Sequence, residues 1–147
     1  LFHTDTNELQ IDATFYQNSN IQPDGWFVRL YPKGDMPYEL NWNYAVWVSR
    51  GDVETVRSSQ NYHIKRTKNI NSSNKEQILN DKTWLDKAKS IVEQQGHTDI
   101  QYVSFTNTNF NIEKISVDVK VVVNNGYYIV SLYYPDQSLK GISHIIT

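Results

Sequence analysis

Four histidines, His3, His63, His97 and His144, are the first places to look for chemistry in this chain. None of them forms H-x-x-x-H or H-E-x-x-H, the spacings that set two metal ligands on one helix face. His3 and Asp5 have the i, i+2 spacing of one strand face, but they stand where chain ends fray. His97 directly follows Gly96, a residue suited to close a helix, so its expected role is as a cation at the helix dipole's negative end. No metal site is expected. Cysteine is absent, which excludes disulfides, thiolate catalysis and cysteine-bound zinc. The six glycines stand singly, so neither a G-x-S-x-G elbow nor a glycine-rich phosphate loop exists, and no cofactor is expected.

Paired carboxylates need only closeness in space. Glu39 and Glu54 flank the tripeptide Arg50-Gly51-Asp52 and would face each other if the chain bent there. They make a carboxylate-dependent hydrolase conceivable, but exposed acids on strands are common and no catalytic residue is assigned. Arg50-Gly51-Asp52 has two readings. Gly51 reaches φ > 0 at little cost and Asp52 suits a loop, so a strand-to-strand turn accounts for the tripeptide. An adhesive tripeptide would occupy the same hairpin tip, which makes these residues a candidate interaction turn.

The aromatic pattern stands furthest above background. Leu40, Trp42, Tyr44, Val46 and Val48 alternate, leaving Asn41, Asn43, Ala45 and Trp47 on the opposite face. Trp47, Asn41 and Asn43 are therefore the candidate ligand-binding residues. Sugars stack on such aromatics while amides meet their hydroxyls, and protein partners favour the same residue types. A covering layer that buries Trp47 is the competing expectation. "YYIVSLYY" (127–134) likewise leaves a tyrosine of each pair on either face. Arg57, His63, Lys65, Arg66 and Lys68 form the nearest thing to an anion site, read as a solvated strand and loop.

These residues need a scaffold. "ELQIDATFYQ" alternates apolar and polar positions, predicting a strand, and Pro23-Asp24-Gly25 marks a turn before a second strand over 26–31. A third strand is expected over 38–49, a fourth over 53–58, and a weaker one near 61–66. One long helix, about 74–95, follows from apolar residues at Ile78, Leu79, Trp84, Leu85, Ala88, Ile91 and Val92. Ser73 and Glu76 have capping-box spacing, and Gly96 suits the C-terminal cap. Asp81 is the alternative cap of a shorter helix. Strands over 99–105, 115–123 and 127–135 come next, the last two joined at Asn125-Gly126, with a short edge strand in the tail.

Strands and helix do not alternate. The expected fold is α+β: a mainly antiparallel β-sheet, curved or partly closed into a barrel, with one long amphipathic helix packed on it. At 147 residues a single domain is expected, with a β-rich lobe over about 8–66, the helix, and a C-terminal hairpin region over about 99–147. Net charge is −2 and evenly spread, which argues against nucleic acid as a partner. No apolar run reaches the ~20 residues of a membrane span. The chain opens "LFHTDTNELQ", without an initiator Met or a basic or apolar leader, so an internal start is expected, from which a targeting segment or anchor could have been cut away. The Asn- and Tyr-rich, Cys-free composition resembles exported domains of low-GC Gram-positive bacteria. The expectation is a non-catalytic extracellular or cell-surface module that binds a protein partner. The alternatives are a carbohydrate-binding module and a carrier of a small apolar ligand.

Overall fold

The computed structural model describes residues 7, 9–17, 24–34, 44–49, 52–58, 69–106 and 115–146. The fold is α+β with antiparallel strands throughout, and the chain divides into two compact units, residues 2–62 and residues 63–147. The 38–43 part of the expected third strand and the weaker segment near 61–66 lie outside the described residues.

The first unit is a four-stranded meander: β1 (Leu9–Tyr16), β2 (Gly25–Pro32), β3 (Tyr44–Ser49) and β4 (Asp52–Ser58). Neighbours in sequence are neighbours in the sheet, as short antiparallel connections favour. Phe15 pairs with Trp26, and Trp26 with Val48. Because side chains alternate along a strand, Ile11, Ala13 and Phe15 share a face with Trp26, Val28, Leu30, Val46 and Val48. Asp12, Tyr16, Arg29, Phe27, Ala45 and Trp47 share the other. On that second face Arg29 donates to Asp12 directly across the strand pair at 2.5 Å. A bulge between Trp47 and Val48 places one extra residue on β4, so Trp47 pairs with Thr55 and Val48 with Val53. Ser49 is buried and spends its hydroxyl on the Asp24 carbonyl at 3.1 Å.

The second unit carries helices α1 (Ser72–Asn80) and α2 (Thr83–Gln94) and another meander, β5 (Tyr102–Phe105), β6 (Ser116–Val123), β7 (Gly126–Tyr133) and β8 (Leu139–Ile146). Neither meander closes on itself. The helical segment is two helices rather than one. Asp81 breaks it: its Oδ1 accepts from both the backbone N–H and the hydroxyl of Thr83, where the second helix begins two residues on. The capping box exists two residues earlier than its Ser-x-x-Glu spacing indicates. Asn71 is the N-cap, accepting from the Asn74 N–H at 2.9 Å, while the Asn74 side chain accepts from the Asn71 N–H. Asparagine does the work expected of Ser73 and Glu76, because either carboxamide can reach a backbone donor three residues away.

α2 packs on β5, β6 and β7. Trp84, Ala88, Ile91 and Val92 from the helix are buried, as are Val117, Val119, Val121 and Val123, every second residue of β6. Each such valine contributes roughly 1.5–3 kcal/mol through burial. Trp84 also stacks on Tyr134, with ring centres 6.3 Å apart. Gly96 closes the helix end at φ +95°, its N–H reaching the Glu93 carbonyl at 2.9 Å. β8 is a full eight-residue strand paired along β7, not the short edge expected of the tail. In the hairpin between β6 and β7, Val123 pairs with Gly126, so Asn124 and Asn125 make the turn, one residue earlier than expected.

Candidate functional site

The sequence candidates scatter. Asn41, Asn43, Arg50 and Gly51 lie outside the described residues, as do Glu39, His63, Lys65, Arg66 and Lys68. Asp52 opens β4 opposite Ser49, so the chain does reverse between these two residues. Trp47 is half-buried. Phe27 and Thr55 flank it on the adjoining strands, and the Tyr16 ring lies 6.2 Å away at 49°. Its six-membered ring also overlies Gly25, where an added Cβ would come within 2.8 Å of the indole. Gly25 is therefore the floor on which the indole rests.

A second constellation, which sequence reasoning missed, is built around His97. The helix cap at Gly96 turns the chain so that His97, Thr98 and Asp99 run back towards the sheet. His97 Nδ1 lies 3.0 Å from Asp99 Oδ1, and its Nε2 lies 2.7 Å from the Tyr128 hydroxyl on β7. Both ring nitrogens are thus engaged, and the residue is no simple cation at a helix end. The side chains of His97 and Asp99 keep 21% and 29% of their surface, so the pair is partly shielded yet reachable by water. Tyr128 and His144 pair across β7 and β8 and stack with ring centres 4.3 Å apart at 7°. His97 meets Tyr128 edge-on at 5.0 Å.

Asp99 is itself held. Its Oδ2 accepts the Asn124 backbone N–H at 2.9 Å, and Gln101 donates to the Asn124 side chain at 2.5 Å. The Asn124 N–H, then His97, hold the Asp99 carboxyl below its ordinary value of 3.8, so it is ionised at neutral pH. An ionised acceptor fixes the proton of neutral His97 on Nδ1 and leaves Nε2 as a base towards the phenol. The order carboxylate, imidazole, hydroxyl is the connectivity of hydrolase triads with tyrosine in the nucleophile's place. A sequence signal existed: His97 and Asp99 have the same i, i+2 spacing as His3 and Asp5, on an extended segment.

Among the described residues no group of three His, Asp or Glu is placed to hold a metal ion. No helix among them is long and apolar enough to cross a membrane. No family model matches the chain, and neither a curated protein nor a solved structure does so.

Proposed function

We propose that this chain is a non-catalytic interaction module, extracellular or surface-exposed, that binds a protein partner through one face of β1 and β2. The observation that carries this reading is the Ile11–Phe15–Trp26 surface. These side chains stay 67%, 46% and 48% exposed although they share one sheet face. The rings of Phe15 and Trp26 lie 5.2 Å apart. Single exposed apolar residues are ordinary, but three on one face leave a patch that water solvates poorly. Large aromatics lose little side-chain freedom on contact, which is why they concentrate binding energy in interfaces. The exported setting rests on composition and the absence of cysteine.

The test is selection of peptides from a random displayed library on the immobilised chain. The selected peptides are then titrated against wild type and a Phe15→Ser, Trp26→Ser variant of unchanged circular dichroism. Removing a hot-spot aromatic costs about 2 kcal/mol or more, so binding should fall roughly thirtyfold. Equal affinity for both proteins would overturn the assignment of this surface.

The carbohydrate reading is favoured by one separate feature, the Tyr16–Trp47 pair on the opposite face, with Tyr16 48% exposed. It predicts that a soluble polysaccharide shifts tryptophan emission in wild type and not in Trp47→Phe.

A further inference from the structure

We propose that Tyr128 is an activated phenol, an acceptor site for acyl groups delivered by activated esters, with His97 as its base and Asp99 as the residue that positions that base. The site lies within the second unit and is independent of the surface proposed above. Three contacts carry it. The Tyr128 hydroxyl is 2.7 Å from His97 Nε2, within the range for proton transfer. Asp99 holds the other ring nitrogen at 3.0 Å. The Asn124 N–H anchors Asp99 at 2.9 Å, so the base is fixed from two sides.

In the acylation step the phenolic oxygen attacks the ester carbonyl carbon, and its proton passes to His97 Nε2. The new oxygen–carbon bond forms as the ester's alcohol leaves, and that alcohol takes the proton from His97. The products are O-acyl-Tyr128 and the free alcohol, with no change of oxidation state. Asp99 stays ionised throughout and stabilises the transient imidazolium. Among the described residues, the titratable groups meeting the imidazole are Asp99 on its own segment and Tyr128 and His144 from the sheet.

The chain supplies its own reference. Tyr102 is 62% exposed, whereas Tyr128 is half-buried, so access alone would favour Tyr102. The experiment treats the whole chain with p-nitrophenyl acetate and follows acetylation of each tyrosine by peptide mass spectrometry. Tyr128 should react on the order of a hundredfold faster than Tyr102, as a positioned base provides. His144→Phe keeps an aromatic ring stacked on Tyr128 and should retain the rate, which assigns the base to His97. His97→Gln should reduce Tyr128 to the rate of Tyr102 or below. Asp99→Asn should do nearly the same, because its amide N–H forces the imidazole proton onto Nε2. Faster acetylation of Tyr102 than of Tyr128 in wild type would overturn the proposal without any variant. So would an unchanged Tyr128 rate in a folded His97→Gln protein.

Discussion

Gly126 and Ile145 approach so closely that a Cβ added to Gly126 would lie 2.0 Å from the Ile145 carbonyl oxygen. Gly126 also sits at φ +144°. Both facts follow from its place at the start of β7, where β6 has just turned and β8 runs alongside. Gly126→Ala therefore meets a strained backbone and a neighbouring strand at once. Strain of this kind costs about 1–3 kcal/mol alone, and displacing β8 adds to it. Gly96→Ala is the control, since its φ of +95° is strained but nothing lies within 4 Å. Urea titration should show Gly126→Ala losing clearly more stability than Gly96→Ala, which should lose about 1–2 kcal/mol.

Acid should loosen the second unit at two carboxylates. The Thr83 hydroxyl, then the Thr83 N–H, hold Asp81 below its ordinary value, and the Asn124 N–H and His97 do the same for Asp99. A lowered folded value means that ionisation favours the folded state. The contribution is complete above the ordinary value near 3.8 and is lost as pH falls through the lowered one. Melting temperatures followed by circular dichroism from neutral pH downward should separate wild type from Asp99→Asn at neutral pH. The two curves should converge at the acid end. A constant gap at every pH would mean that the Asp99 charge contributes nothing.

The strands were legible where one face is buried. β6 shows this best: Val117, Val119, Val121 and Val123 are all buried, and the residues between them include Asp118 and Lys120. β8 was harder to read because Gly141, Ser143 and His144 interrupt its apolar pattern, and pairing with β7 rather than its own composition makes it a strand. The helix was placed, but its break was not resolved in favour of Asp81, since a side chain that accepts from the first residue of the next helix looks like any polar residue in a helix. The His97 constellation was out of reach for a different reason. His97 and Tyr128 stand thirty-one residues apart, and the turn at Gly96, the bonds that tie the following segment to β6 and the register of β6 against β7 bring them together. Charge, spacing and composition carry no record of that register.

Trp84 should be the most costly single truncation in α2. It is 3% exposed, stacks on Tyr134, and follows Thr83, whose hydroxyl accepts from Gln137 at 2.7 Å. Trp84→Ala removes the stack and leaves a cavity between α2 and the β7–β8 connection, for a loss of about 3–5 kcal/mol. Trp84→Phe retains a ring and should lose less than half of that. Equal losses for the two variants, measured by urea denaturation, would mean that the stack contributes little.

Tryptophan quenching separates the aromatic surfaces directly. Trp26 is 48% exposed and Trp84 only 3%, with half-buried Trp47 between them. Iodide is charged and reaches only indoles that meet water, so Trp26→Phe should remove more of the quenchable emission than Trp47→Phe. Trp84→Phe should leave the quenchable part unchanged. This ordering reverses the one expected from alternation alone, in which Trp47 was the indole set on a polar face. Both indoles have a neighbour on each side, Trp47 between Phe27 and Thr55 and Trp26 between Phe15 and Val48, but Trp47 also lies over Gly25 while Trp26 stays 48% exposed. If Trp26→Phe leaves quenching untouched, the face carrying Ile11 and Phe15 is covered in solution, and it cannot be the docking surface. If Trp26 accounts for most of the quenching, the same emission band becomes the direct readout for any peptide that binds there.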